Sequence, residues 1–140
     1  MDKKIEPRGI RNNNPLNIRK GNTWKGERPV QKDKAFEEFT SMEWGIRAGF
    51  KILRNYISGY NGLAEKHNTI YKIINRWAPA KENNTQAYIE AVVKATGIPA
   101  HQRIAFGNKK LMCDIVAAMI VVECGQAVDR AVIESGYDLL

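Results

Sequence analysis

From Leu111 to Gly125 the chain reads Leu-Met-Cys-Asp-Ile-Val-Ala-Ala-Met-Ile-Val-Val-Glu-Cys-Gly, and every side chain from Ile115 to Val122 is apolar. A helix of that composition is hydrophobic on all faces, so the pattern predicts a buried axle rather than a surface helix. Upstream the pattern is one-sided. Ile46, Phe50, Leu53, Ile57 and Tyr60 recur every three or four positions and define one buried face of a helix from Met42 to about Tyr60. Ser41 supplies its N-cap, and Gly59, Asn61 and Gly62 end it. Thr69 caps a shorter helix that turns Ile70, Ile73, Ile74 and Trp77 inward before Pro79 stops it. Asn83, with Gln86 three residues on, has the form of a capping box opening a helix through Ala95 that Gly97 ends, with Tyr88 or Ile89, Val92 and Val93 inside. A last helix is expected from Ala127 to Asp138.

The first third of the chain lacks this periodicity. Residues 1–9 read as a flexible arm, followed by Arg11-Asn-Asn-Asn-Pro-Leu-Asn-Ile-Arg19. Asn side chains compete for backbone groups, and the residue before Pro is pushed out of the α region, so this is a structured loop. Gly21-Asn22 and Lys25-Gly26 bracket Trp24, the expected exposed aromatic, and short alternating pieces follow at Arg28–Gln31 and Ala35–Phe39. Two or three short strands are expected there. The fold class is therefore mainly α with a small β-hairpin region, five helices in all with the others ringed around the apolar one, in a single domain over residues 1–140.

Charge narrows the partners without choosing one. The chain has 22 Lys and Arg against 15 Asp and Glu, a net +7, which favours encounters with polyanions such as nucleic acid or an anionic cell wall. The cations are densest in the first 34 positions but form no run of five, and no basic recognition helix or aromatic-basic platform accompanies them, so nucleic acid is not the expected partner. The longest apolar run falls far short of the roughly 18 residues that cross a bilayer, so no membrane insertion is expected. Residues 1–20 hold no apolar segment like a signal peptide, and the expected site of synthesis is the cytoplasm. His67 and His101 stand alone and Cys113 and Cys124 are too far apart on one helix to bridge, so neither metal nor cofactor nor disulfide is expected.

Glu123 is the residue with the most chemical promise. It sits where the apolar helix runs out, followed by a Gly125 suited to a helix C-terminus. A carboxyl group half sunk in an apolar wall has its charged form disfavoured and can serve as a general acid. The competing reading is a solvated last-turn carboxylate.

Four stretches, Arg8-Gly-Ile-Arg-Asn-Asn-Asn-Pro-Leu-Asn-Ile-Arg19, Trp44-Gly-Ile-Arg-Ala-Gly49, Ile73-Ile-Asn-Arg-Trp-Ala-Pro79 and Glu82-Asn-Asn-Thr-Gln-Ala-Tyr-Ile89, together resemble a family of phage and prophage virion structural proteins. A second resemblance bears on chemistry. Gly45-Ile-Arg-Ala-Gly-Phe-Lys-Ile-Leu53 and Thr85-Gln-Ala-Tyr-Ile89 are similar to stretches of lysozyme-like lytic transglycosylases, and the Asn13–Gly26 stretch to phage and autolysin glucosaminidases. In those proteins a catalytic Glu at the end of a buried helix comes first and a Tyr faces it. Here no such helix precedes Asn12, so the resemblance implies a lysozyme-like domain circularly permuted to carry its catalytic helix at the C-terminus.

On that reading Glu123 is the acid and base, with Glu134 as the alternative because Glu134-Ser-Gly-Tyr137 spells the Glu-Ser-Gly-aromatic signature. Tyr88, Asn14, Asn17, Trp24 and Trp77 are the implied substrate-binding residues. The implied function is cleavage of peptidoglycan glycan strands by a muramidase or lytic transglycosylase. Asp33, Glu37 and Glu38 are the candidates for a second carboxylate, none with a distinguishing context; a transglycosylase needs no second one. The alternative is a non-catalytic virion or peptidoglycan-binding protein on the same scaffold, associated with other virion proteins.

Overall fold

The computed structural model describes residues 6–59, 66–81 and 83–140. Six helices follow one another: α1 (Arg8–Arg11), α2 (Met42–Ser58), α3 (Ile70–Trp77), α4 (Thr85–Thr96), α5 (Lys109–Cys124) and α6 (Arg130–Asp138). Each of the five longer ones starts where a side chain takes an otherwise orphaned backbone N–H. Ser41 accepts from Trp44, Thr69 from Lys72, Asn84 from Ala87, Asn108 from Leu111 and Asp129 from Ala131. Left-handed Gly59, Gly97 and Gly125 close α2, α4 and α5.

These caps correct several expected boundaries. Asn84, not Asn83, opens α4. The final helix begins at Arg130 rather than Ala127 because Asp129 turns its carboxylate back on the Ala131 amide. Part of the expected N-terminal arm is helical: Arg8–Arg11 forms a turn whose Gly9 is buried, and a Cβ there would meet Asn14 O, Asn17 Oδ1 and Cys124 Sγ at 2.8 Å each. Residues 1–5 of the arm, and Tyr60, Asn61 and Gly62 of the expected α2 terminus, lie outside the described residues.

The core is one cluster. Ile46, Phe50 and Leu53 of α2, Ile70, Ile73 and Ile74 of α3, Ile89 and Val92 of α4, and Met112, Ile115, Met119 and Ile120 of α5 are buried together with Ile133 of α6. The axle is buried as the pattern predicts except at its last turn, where Val121 and Val122 are 46% and 39% exposed. There α5 runs past its neighbours towards solvent, which brings Glu123 to the surface. Helix α6 lies close on α2: a Cβ at Gly136 would come within 2.6 Å of Ile46 Cγ2. Tyr137 meets Phe50 edge-on at 5.3 Å and stacks on Phe106 at 5.5 Å.

The expected strands reduce to two isolated bridges, Arg19 with Phe36 and Glu27 with Phe39. Side chains occupy the backbone groups that a ladder would use. Asn14 Nδ2 donates to the Ile18 and Glu37 carbonyls, and Asn14 Oδ1 accepts from Ile18 N–H. Gln31 likewise clamps Glu38 through both its N–H and its carbonyl, while the Asp33 carboxylate accepts from Ala35 and Phe36 N–H. The segment is thus held by polar side chains rather than by sheet pairing. No helix among the described residues is long and apolar enough to cross a membrane.

Candidate functional site

Glu123 is the penultimate residue of α5, and three segments converge on its half-buried carboxylate. Asn17 Nδ2 donates to Oε1 at 3.0 Å and approaches the Glu123 main-chain oxygen at 3.3 Å. Tyr88 Oη donates to Oε2 at 2.9 Å, and Trp77 Nε1 reaches the same oxygen at 3.3 Å. The N-terminal loop, the end of α3 and the middle of α4 are therefore tied to one carboxylate on α5.

Local sequence explains each placement. Asn13 and Asn17 sit in the left-handed region at φ 52° and 53°, which Asn tolerates better than other non-glycine residues, and the second turn points the Asn17 amide at α5. Next to Glu123, Cys124 Sγ donates to the Pro15 carbonyl at 3.1 Å, a second link between helix end and loop. Tyr88 is 6% exposed, and burial foremost, then the Glu123 charge and hydrogen bond, hold its phenol far above the ordinary tyrosine range. It is therefore a fixed neutral donor. Trp77 ends α3 because Pro79 follows the Ala78 cap, which leaves its indole N–H free to turn to Glu123.

Two hollows flank the carboxylate. A cleft of about 350 Å³ is lined by Asn17, Arg19, Asn22, Phe36, Tyr56 and Trp77, among others. A second, also about 350 Å³, is lined by Asn83, Asn84, Ala87, Tyr88 and Val122. Glu123 and Asn83 border both, so the carboxylate stands at the saddle of a continuous depression with an aromatic half and a polar half. Among the described residues, Glu123 is the one carboxylate lining either hollow.

The remaining singled-out residues lie elsewhere. Glu134 is on α6, half exposed, 3.8 Å from Arg130. Asn14 is fully buried and spends its amide on the backbone of the loop. Trp24, expected to be exposed, is half-buried against the core, and its indole N–H is enclosed without a hydrogen-bond partner. Packing won over exposure there because Gly26, at φ +84°, brings the chain directly against the Trp44 ring. Of the carboxylates in the bridged segment, Asp33 pairs with Arg8, whose hydrogen bonds foremost hold its carboxyl far below the usual range. Glu38 pairs with Arg28 and accepts from the Lys32 and Asp33 amides. Glu37 is buried beside Glu27, and burial first, then that neighbour, pushes it up to about 7. Cys124 is an unpromising nucleophile, since burial pushes its thiol up to about 11.

Arg19, Asn22, Phe36, Tyr56 and Asn83 line the depression without having been singled out from sequence. Arg19 and Asn83 fall in stretches that carry the phage resemblance, but no site role was expected of either, and only position in space brings them together with Asn22, Phe36 and Tyr56. Among the described residues no group of three or more His, Cys, Asp and Glu side chains is placed to hold a metal ion.

No protein-family model matches the chain. It is similar to Protein P5 of Pseudoalteromonas phage PM2, with 45% identity over an alignment of 122 residues that covers 84% of this chain and 71% of the phage protein. With that identity over most of both sequences, the chain belongs to the family of Protein P5 of phage PM2.

Proposed function

We propose that this chain is a phage virion protein, the reading its kinship with Protein P5 favours, and that the depression around Glu123 makes it a peptidoglycan-cleaving glycosidase. The observation that carries the second half is the convergence of Asn17, Trp77 and Tyr88 on one carboxylate at the saddle of two hollows. Cleaving a glycosidic bond needs an acid aimed at the leaving oxygen and groups that hold the sugar on either side of it. Glu123 supplies the first. The hollow walls supply the second, with Trp77, Tyr56 and Phe36 offering ring faces and Asn22, Asn83 and Asn84 offering amides.

The lack of a second carboxylate among the described lining residues favours the transglycosylase route. In that route Glu123 protonates the leaving oxygen and then, as carboxylate, takes a proton from the sugar's own 6-hydroxyl as that oxygen attacks C1, closing a 1,6-anhydro ring. No water is consumed. Tyr88, neutral and buried, orients the carboxylate through both halves of the cycle. The lysozyme-like, circularly permuted fold belongs to the same proposal; its support is that Asn17, at the start of the chain, lies against the end of α5.

The relationship to a phage protein is equally satisfied by a non-catalytic virion protein, and one observation favours that reading. Three donors from three segments meet on Glu123, so the carboxylate also serves as a tie that holds four segments in register. Dye release from labelled sacculi separates the two. Glu123→Gln keeps the shape of the side chain and one acceptor oxygen, but its amide NH2 meets a donor on one side and it cannot donate a proton as an acid. Loss of release by a folded Glu123→Gln supports the glycosidase; no release by the wild type supports the scaffold protein.

A further inference from the structure

Phe36 borders the Glu123 cleft and its ring carries two cations. The guanidinium carbon of Arg8 lies 4.5 Å from its ring centroid and that of Arg19 lies 4.9 Å away. The two arginines differ in what satisfies their charge. Arg8 is forked onto both oxygens of Asp33. Arg19 is exposed and lines the cleft, and the ion pairs of the described residues, which engage Arg8, Arg28, Lys109, Lys110 and Arg130, do not engage it. Its backbone is fixed by the bridge to Phe36 and its planar head by the ring beneath it. An arginine held on an aromatic face at the border of a cleft, and in none of those ion pairs, is prepared for a planar anion.

We propose that Arg19 is the anion-recognising residue of this cleft and that the polymer bound there carries a carboxylate beside the glycan backbone, as the peptide stems of peptidoglycan do. The inference rests on the glycan-binding reading of the Glu123 depression and narrows it to a substituted, anionic glycan rather than a neutral one. Carboxylate fits better than a diffuse polyanion because the site offers one oriented fork rather than a row of point charges. Arg19 acts here on substrate choice and has no part in the proton transfers at Glu123.

The test compares native sacculi with sacculi whose carboxyl groups have been converted to amides with carbodiimide and ammonia, using both sedimentation binding and dye release at low ionic strength. The wild type is expected to prefer native sacculi by about tenfold, the scale of one charge-assisted contact at an exposed site. Arg19→Met is expected to lose that preference, and Arg19→Lys, which keeps the charge but not the fork, to retain part of it. Equal binding of the two sacculi by the wild type, or an undiminished preference in a folded Arg19→Met, overturns the proposal. A wild type without the preference overturns the proposal even where a variant fails to fold. Preferential sedimentation without any dye release would instead count against the glycosidase reading while leaving Arg19 as the carboxylate contact.

Discussion

Replacing Gly45 by Ala sets two physical effects against each other. Gly45 lies in the first turns of α2, where alanine is favoured over glycine by about 1 kcal/mol. Yet a Cβ at this position would lie 2.9 Å from the Asn13 carbonyl carbon and closer still to its oxygen, with Phe39 Cδ2 at 3.2 Å on another side. The carbonyl cannot simply retreat, because Asn13 Nδ2 is bonded to the Phe39 carbonyl and the Phe39 amide is bonded to the Asn12 carbonyl. Overpacking of a fixed backbone neighbour costs typically 1–3 kcal/mol and sometimes more. Contacts this short to backbone atoms put the cost at the top of that range, so the clash outweighs the propensity gain and leaves a net destabilisation of about 2 kcal/mol and a melting temperature lower by roughly 5 °C. The loop that moves carries Asn17, so any activity on sacculi should fall by more than the melting temperature alone explains. Calorimetry of the variant, alongside the dye-release assay, reads both. A melting temperature equal to or above that of the wild type would refute the reasoning, since it would mean that helix propensity governs and that the loop is not seated on α2.

Further expectations concern charge. Glu37, pushed up to about 7, favours the fold when protonated, so its contribution is complete below pH 4.5 and is lost as the pH rises through 7. Glu37→Gln should therefore be more stable than the wild type at pH 8, by roughly 2 kcal/mol, with the advantage vanishing near pH 5. Its amide can also donate towards Glu27, whose Oε1 is enclosed without a hydrogen-bond partner. Urea denaturation at the two pH values checks this, and an unchanged pH slope contradicts it. Asp33 works in the opposite sense: its depressed carboxyl stabilises the fold above pH 3.8, and that contribution is lost as the pH falls through its folded value. Asp33→Asn should melt lower at pH 7 and show a shallower loss of stability in acid than the wild type does.

Helices and core were legible in the sequence because their causes are local. The apolar spacing of Ile46, Phe50, Leu53 and Ile57 and the caps Ser41 and Thr69 act within one or two turns, and α2 and α3 formed where those signals placed them. Boundaries shifted where two cap residues competed: Asn83 and Asn84 are adjacent, and sequence offers no means of choosing between them. The bridged segment was misread as strands because alternation at Arg28–Gln31 and Ala35–Phe39 does not reveal that Asn14, Gln31 and Asp33 take the backbone groups first. Trp24 was misplaced for a related reason, since the contact between Gly26 and Trp44 that folds the segment inward joins residues 18 apart.

At the site, Glu123, Tyr88, Asn17 and Trp77 were singled out from sequence and meet in space, whereas Asn14 and Trp24 serve the scaffold. The difference lies in how each polar group is satisfied. Asn14 uses both ends of its amide on the Ile18 and Glu37 backbone, while Asn17, three residues later and turned by a positive φ, reaches α5 instead. The place of Arg19 and Asn83 in the cleft was not legible, because a wall assembled from separate segments leaves no spacing to read.

The most direct measurement is mass spectrometry of the soluble fragments released when purified sacculi are incubated with the wild type and with Glu123→Gln. The account predicts 1,6-anhydro-terminated disaccharide-peptides from the wild type and their loss in a folded Glu123→Gln. Fragments released equally by Glu123→Gln, or none released by a folded wild type, would contradict it.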